Sequence, residues 1–467
     1  MTIPYDLLLT NARLPGGGAV DIGIVDGRIA AVGALAAEPA AAGQPLPEGS
    51  ALRLAPAKRR FEAGGLLLLL PFAEAHVHLD TALTAGMPAW NESGTLAEGI
   101  GIWSSRRAAL TREDVLERAE RTLELYLGYG VLELRTMVDI GDPQLTALRA
   151  VLELKERWRD RIRLQAIAFP QDGIESCPSN LERMREALRL GADGVSAVPH
   201  LERTREEGVA SLRAAFALAE RSGAQVHLFC DETDDGQSRF LEVAASLALA
   251  TGLGGSGRVA AAHANAAAYY NEPYFQKLLP LVRQSGLSIV ACPLINSVTQ
   301  GRSDGYPKGR GLTRIKEFHE TGVNVALAHD DIRSPFYPLG TGNPLDAAHM
   351  AAHLAHMSGR SELRALIGMI ASGARAAMGL GKPADGAAGL RVGDPASFLL
   401  FDALDESELI RLRPAPRQVF REGRLVAETV PAVTRLLPGG RAAGPPAAAD
   451  GGQGAAKERP ILSGTER

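Results

Sequence analysis

The length and charge of the chain exclude several classes of protein before any motif is considered. Its 467 residues suit one large α/β domain with an appendage, or two to three domains. The 54 acidic residues nearly balance the 50 basic ones, and 46% of the residues are hydrophobic, which argues against a nucleic-acid-binding surface and against global disorder.

The first predicted elements are short β-strands. Residues 6–11 form an apolar run, and residues 20–29 alternate around an Asp26-Gly27 pair, which is typical of a β-hairpin turn. A similar pattern returns late in the chain, at 396–401 and 418–426. Neither end has enough strands for a stable sheet by itself. We therefore predict that the two ends pair into one small β domain.

The central part of the chain alternates strand and helix patterns, which predicts a parallel sheet. Eight strand–helix units are the number that closes a (β/α)8 barrel. An open doubly wound sheet is the rival architecture, but no Gly-rich phosphate loop follows the first strand. The eight apolar runs that we assign to the strands are 66–70, 131–138, 162–169, 194–198, 225–230, 259–263, 287–292 and 323–328.

The predicted fold class is therefore α/β, a TIM-like (β/α)8 barrel with a small β domain formed from both chain ends. Residues 1–63 and 384–430 are the two parts of the composite β domain, and residues 64–383 are the barrel. Residues 431–467 are rich in Ala, Gly and Pro, and we predict that this tail is disordered. Residues 34–56 have a similar composition and are expected to form a surface connection.

Polar residues follow the first strand pattern at the position where a barrel places its active site, the carboxyl ends of the strands. His76 and His78 are two residues apart, so both point the same way on a strand. Two imidazoles on one face supply half of a metal site. The alternative is a chance alternation in a strand with a polar end.

Three further strand ends favour the metal site. The fifth run contains His227 and is followed by Glu232, the sixth ends in His263, and the eighth is followed by Asp330. A metal held by His and Asp lowers the pKa of the water it binds to about 7. A nearby carboxylate then moves a proton from that water to the leaving group.

Together these residues resemble the amidohydrolase superfamily, and within it the cytosine deaminase-like proteins and the related N-isopropylammelide isopropylaminohydrolases. The resemblance implies a (β/α)8 barrel and a small β domain made from both chain ends. It extends beyond the possible ligands, over nearly the whole chain except the tail. The segments that carry it are 74–100, 168–174, 230–240, 293–318 and 328–345.

The resemblance also implies a role for individual residues. His76, His78 and Asp330 resemble ligands of a divalent metal, zinc or iron, and Asp330 would also accept a proton from the bound water. Glu232 resembles the group that carries this proton to the ring nitrogen. The resemblance further implies that His263 orients the attacking water and that Gln171 contacts the ring carbonyl of the substrate.

One position departs from the family pattern. The family places a third histidine ligand three residues before the glutamate, where this chain has Phe229. His227 shares the same strand face but lies two residues, about 6.6 Å, deeper. Three interpretations stay open: a metal held by His76, His78 and Asp330 with water or substrate completing its shell, a bulge that brings His227 into the site, or a site that binds metal poorly.

Two other departures concern the substrate pocket. Phe336 stands where cytosine deaminases have a tryptophan, and Met137 replaces a histidine of the second strand end. With Phe229, these residues predict a more apolar pocket than cytosine requires. Neutral drift at the pocket rim is the alternative interpretation.

The predicted function is metal-dependent hydrolysis of a C–N bond in a small nitrogen heterocycle. The expected reaction is a cytosine deaminase-like deamination that releases ammonia from a pyrimidine, triazine or creatinine-like ring. The alternative is a metal-poor homologue that binds a heterocycle without turnover. We expect a small-molecule substrate and further copies of the chain as partners, and neither nucleic acid nor a membrane. The three cysteines suit the reducing cytoplasm.

Overall fold

The computed structural model describes residues 4–35, 52–53, 55–381 and 390–435. Most of the predicted surface connection at 34–56 and of the predicted tail at 431–467 therefore lies outside the described residues. Met1–Glu428 forms one structural unit and Thr429–Arg467 a second. Every strand described below belongs to the first unit.

A β-hairpin stands near the start of the chain, as the sequence predicts. Its turn residues Asp26 and Gly27 have φ angles of 48° and 71°, and a tight I′ turn requires positive φ at both positions. This hairpin belongs to a sheet that takes five strands from the first part of the chain: β1 (Tyr5–Arg13), β2 (Ala19–Val25), β3 (Arg28–Leu35), β4 (Ala57–Glu62) and β5 (Leu67–Leu69).

The next eight strands form a second, parallel sheet in chain order, which confirms the predicted barrel. The amide of Asp330, just after the last strand, donates to the carbonyl of His76 on the first at 3.1 Å, and this contact joins the two edges. The strands are β6 (Phe72–Val77), β7 (Val131–Asp139), β8 (Arg163–Phe169), β9 (Gly194–Val195), β10 (Gln225–Cys230), β11 (Val259–His263), β12 (Ser288–Ala291) and β13 (Val325–Leu327).

The predicted first barrel strand was wrong. The run at 66–70 supplies β5, which pairs with β1 in the small sheet, and the barrel begins with the following run at Phe72. Two buried apolar runs lie side by side here with only Pro71 and its neighbour between them. Periodicity cannot assign a short, fully buried run to one sheet or the other.

The carboxyl-terminal strands complete the small sheet, which confirms that both chain ends build it. β14 (Phe398–Phe401) pairs antiparallel with β5, and it is followed by β15 (Gln418–Arg421) and β16 (Arg424–Glu428). The strand order is β16-β15-β14-β5-β1-β2-β3, with β4 on β1. The sheet therefore cannot form without residues from both ends of the chain.

Helices follow the barrel strands, and their starts are capped where the sequence supplies a suitable residue. For example, the Thr111 side chain accepts the Asp114 amide at the start of the helix that spans Arg112–Gly128. No helix within the described residues is long and apolar enough to cross a membrane. The longer helices are α1 (Leu96–Arg107), α2 (Arg112–Gly128), α3 (Thr146–Trp158), α4 (Ser179–Leu190), α5 (Arg205–Ser222), α6 (Phe240–Thr251), α7 (Glu272–Ser285), and, after two shorter ones, α8 (Pro344–Leu354) and α9 (Arg360–Met369).

Candidate active site

The carboxyl ends of the barrel strands bring together most of the residues singled out from the sequence. His76 lies in β6 and His263 ends β11, while Glu232 and Asp330 follow β10 and β13. All four are buried. Residues up to 254 positions apart in the sequence thus share one small volume, because parallel strands end at the same face of the barrel.

The ligand atoms of three residues form a tight group. His76 Nε2 lies 3.8 Å from Asp330 Oδ1, and His263 Nε2 lies 4.0 Å from Asp330 Oδ2. All the ligand atoms of this trio fall within 4.8 Å of one another. His78 Nε2 is also 3.9 Å from Asp330 Oδ1, but His78 does not join the trio at that limit.

Three of these atoms lack a hydrogen-bond partner within the described part of the chain: His76 Nε2, His263 Nε2 and Asp330 Oδ1. Buried polar atoms are rarely left in this state, because each one loses its contacts with water. Three such atoms that converge on one point fit a bound cation.

Burial sets the charge of the site. It lowers the pKa of His78 and of His263 to about 3, so both imidazoles are neutral and able to ligate a metal. Burial and the nearby charge of Asp331 raise the pKa of Glu232 to about 8 and that of Asp330 well above its usual range. A cation would relieve this crowding of carboxyl groups, so the charge pattern also fits a metal.

The backbone is strained at two of the same residues. His263 has a φ of 68° and Asp330 a φ of 67°. Positive φ is uncommon for residues with a side chain, and such positions concentrate at functional sites.

His227 lies one layer below this site. Its Nε2 is 2.7 Å from His76 Nδ1, and its Nδ1 is 3.2 Å from a guanidinium nitrogen of Arg135. β10 pairs with β11 in continuous register from Val226 to Cys230, without the bulge that would bring His227 outward. The ring of His227 is therefore aimed at the back of His76 and away from Asp330.

Phe229 occupies the position where the family pattern expects a histidine. Its ring stacks on Phe169 with 4.3 Å between centroids, and it lies 4.9 Å from the His76 ring and 5.2 Å from the His263 ring. Met137 belongs to the same apolar cluster. Phe229 thus makes one side of the site apolar.

A small pocket opens beside these residues. Its free space is about 30 Å³, room for about two water molecules if one needs roughly 10–15 Å³. Gln171 and Phe336, which we expect from the sequence to contact the substrate, line this pocket. The other lining side chains are mainly apolar, and they include Leu96, Ile100, Val198, Leu201 and Ile295.

Sequence reasoning missed several polar residues around the site. The side-chain nitrogen of Asn296 lies 3.4 Å from Glu232 Oε1, and its side-chain oxygen lies 3.4 Å from His263 Nδ1. No local pattern distinguishes this asparagine in its helix. Arg135 was detectable, because it is the one basic residue inside an apolar run, and it is fully buried. Asp331 also lines the pocket and accepts from Thr81 Oγ1 at 2.7 Å.

Comparison with known proteins assigns the family. A family model described as the amidohydrolase family matches residues 94–427. The chain belongs to this family, which confirms the resemblance, and it is a deaminase-like hydrolase of carbon–nitrogen bonds.

Three similar proteins show which members of the family this chain resembles. A 5-methylcytosine deaminase from Klebsiella pneumoniae, solved with 5-fluorocytosine, has a TM-score of 0.84 and 39% identity, over 92% of this chain and 99% of its own. A pterin deaminase from Rhizobium rhizogenes is 30% identical over 77% of this chain and 80% of its own. An N-isopropylammelide isopropyl amidohydrolase from Pseudomonas sp. is 25% identical over 92% and 98% respectively.

Proposed function

We propose that this protein catalyses the metal-dependent, hydrolytic deamination of a cytosine-like ring, with release of ammonia. The observation that carries the proposal is the convergence of unpartnered ligand atoms from His76, His263 and Asp330 beside the buried carboxyl of Glu232. The similarity to a 5-methylcytosine deaminase over nearly its whole length supports the same reaction.

His76, His78 and Asp330 would hold the metal. Neutral imidazoles and a carboxylate suit zinc or iron, and this donor set does not select between them. When bound, the metal would act as a Lewis acid that makes water nucleophilic near neutral pH.

Glu232 is the proposed acid–base group. It accepts a proton from the attacking water and delivers it to the ring nitrogen next to the amino-bearing carbon. The second proton of the water passes to the amino group, which leaves as ammonia, and a ring carbonyl remains. A raised pKa suits this exchange, because a group that titrates near the working pH both accepts and donates readily. Gln171, on the pocket wall, would contact the ring carbonyl.

The pocket favours a single small ring over a fused bicyclic one. A pyrimidine is the smaller ring, so fewer of the side chains that line the pocket must move on its entry than on the entry of a pterin. The apolar wall of Leu96, Ile100 and Ile295 favours a ring with a carbon substituent over a fully polar one. We therefore propose an aminopyrimidine as the substrate class.

The test is ammonia release from a panel of cytosine, 5-methylcytosine, pterin and N-isopropylammelide, measured together with the metal content of the purified protein. We expect release from the aminopyrimidines, loss of activity in a chelator, and recovery when zinc or iron is returned. Glu232→Gln should keep its metal and lose about 100-fold or more of the rate. Metal-loaded protein that releases no ammonia from any of the rings would contradict the proposal.

Phe229 favours one competing function, a binding protein without turnover. Phenylalanine has no atom that could bind a metal at this position, and its ring gives the pocket an apolar surface. Under this alternative, a heterocycle binds with equal affinity before and after chelator treatment, and no ammonia appears. The same panel, followed by calorimetry of binding, therefore separates the two functions.

A further inference from the structure

His263 stands where the family resemblance expects a residue that orients water. We propose instead that His263 Nε2 is a metal ligand and supplies the imidazole that Phe229 removes from the fifth strand. This inference rests on the proposed metal dependence of the site. It concerns which side chains hold the metal, and it is independent of the substrate.

The unpartnered atoms of the site lie close enough to bind a single ion. His263 Nε2 is fully buried, lacks a hydrogen bond within the described residues, and lies 4.0 Å from Asp330 Oδ2. Ligand bonds of about 2.1 Å in a tetrahedral site place neighbouring ligand atoms about 3.4 Å apart. Since His76 Nε2, His263 Nε2 and the Asp330 carboxylate already lie within 4.8 Å of one another, a small contraction brings all three onto one ion.

In His76 and His263, the second nitrogen of the imidazole ring, Nδ1, faces a neighbouring side chain. A metal-bound histidine is normally held through its other ring nitrogen by a carboxylate, an amide or a similar group. His263 Nδ1 lies 3.4 Å from the Asn296 amide oxygen and 3.6 Å from Glu232 Oε1, two acceptors that favour a proton on Nδ1 and leave Nε2 free for a metal. The His76 ring is positioned by the contact of its Nδ1 with His227 Nε2 at 2.7 Å. Both rings therefore direct Nε2 at Asp330.

His78 lacks this support. Neither of its ring nitrogens makes a hydrogen bond within the described part of the chain, and its ring packs on Phe169 and Phe229, 5.3 and 5.8 Å between centroids. Its Nε2 is still 3.9 Å from Asp330 Oδ1. We infer a ligand set in which His76, His263 and Asp330 are pre-oriented and His78 completes the shell by rotating its ring.

The neighbouring strands explain why His263 can take this role. Cys230 at the end of β10, the fifth barrel strand, pairs with His263 on β11. The adjacent strand therefore supplies the imidazole that β10 lacks. Phe229 packs 5.2 Å from the His263 ring and fills the volume that an additional histidine would occupy. Glu232 is then the remaining acid–base group beside the substrate.

The test counts imidazoles on the metal. X-ray absorption spectra of the zinc- or cobalt-loaded wild-type protein should show three imidazoles, and His263→Gln should show two. Competition with a chelating dye should show metal binding at least about 100-fold weaker in His263→Gln, because loss of a direct ligand exceeds the 10- to 100-fold cost of losing an outer partner. His319→Gln, on an exposed helical position, is the matched control and should behave as wild type.

A second variant tests the replacement itself. Phe229→His in the His263→Gln background should recover most of the lost metal affinity and the third imidazole. Two imidazoles on the wild-type protein, or unchanged metal affinity in His263→Gln, would overturn the inference. Two imidazoles in the wild-type spectrum would overturn the inference even if the variants fold poorly. A protein with three imidazoles that deaminates no ring would contradict the proposed function and leave the ligand assignment standing, whereas a wild-type protein without affinity for metal would overturn both.

Discussion

At the scale of single residues, the site is built in two layers. The Nε2 atoms of His76 and His263 point at Asp330, and the lower layer, formed by His227 and Arg135, lies behind His76. Arg135 has only donors, and it also binds the amide oxygens of Gln165 and Gln225 at 2.9 Å each. This rigid backing fixes the His227 ring, which in turn fixes His76.

The lower layer predicts an effect of His227→Asn on metal binding. Asparagine is too short to reach His76, so the outer hydrogen bond of that ring is lost and metal affinity should fall about 10- to 100-fold. Titration against a chelating dye measures this fall. His353→Asn, on the exposed side of α8, should bind metal as wild type does. Equal affinity in the two variants would show that His227 does not orient His76.

The buried carboxyl groups predict proton release on metal binding. Burial raises the pKa of Glu232 to about 8 and that of Asp331 to about 7, so near pH 7 these groups retain protons in the metal-free protein. A cation favours their ionised forms, and protons should leave when metal binds. The release should be smaller near pH 9, where the carboxyl groups are already ionised.

Calorimetry of zinc binding in buffers with different heats of ionisation counts these protons. Glu232→Gln should release fewer near pH 7 than wild type, since glutamine carries no dissociable proton. Equal proton release near pH 7 and pH 9 would contradict the raised pKa of Glu232.

At the scale of elements, one side chain of β6 adds to the backbone contact that closes the barrel. The Glu74 carboxyl group accepts the amide of His76 at 3.1 Å and, across the joint, the amide of His329 at 3.0 Å. Tyr126 donates to the same carboxyl at 3.3 Å. Glu74 therefore connects the first strand to the chain that follows the last one and that carries Asp330.

Glu74→Gln should destabilise the protein by about 1–3 kcal/mol, because the glutamine NH2 group cannot accept from a backbone amide and leaves a buried donor unpaired. Denaturant unfolding measures the loss. Glu117→Gln, exposed on α2, is the control and should change stability by less than about 0.5 kcal/mol. If Glu74→Gln changed the stability as little as the control does, Glu74 would not stabilise the closed barrel.

The sequence predicts an element correctly where neighbouring residues determine its conformation. It predicts an element wrongly where the same residues would suit either of two sheets. The Asp-Gly turn at 26–27 determines its hairpin, because positive φ is required at both positions. The run at 66–70 was assigned to the wrong sheet, because burial on both faces removes the alternation that would separate the small sheet from the barrel. Only the pairing of this run with β1 and β14 shows that it belongs to the small sheet.

At the scale of the whole molecule, the small sheet and the barrel share part of one core. Leu399 and Phe401 on β14 belong to the core that includes the barrel, and Phe398 and Leu400 belong to the separate core of the small sheet. Phe401 lies 5.8 Å from Phe72 of the first barrel strand. The alternation along β14 thus joins the two cores through opposite faces of a single strand.

Phe401→Ala should therefore weaken the barrel as well as the small sheet. Loss of a fully buried phenylalanine costs about 3–5 kcal/mol. Thermal unfolding followed by circular dichroism and by tryptophan fluorescence should give one shared transition at a lower temperature. Leu404→Ala, at a 58% exposed position, should leave the transition unchanged. Two separated transitions in Phe401→Ala would show that the small sheet unfolds independently.

The sequence by itself determined the architecture and the chemical class of this protein. Strand–helix alternation gave the eight-stranded barrel, and polar residues at strand ends marked His76, Glu232, His263 and Asp330, because parallel strands carry their functional groups at one end. Those signals are local, and each can be read from a few neighbouring residues.

Only the tertiary structure decided how the site compensates for Phe229. Which way a histidine directs its two nitrogens depends on partners far away in the sequence, such as Asn296 for His263 and Arg135 for His227. Strand register decided that His227 stays below the site. Distances between side chains on different strands have no signature in a single sequence, because packing and hydrogen bonding of the folded barrel set them.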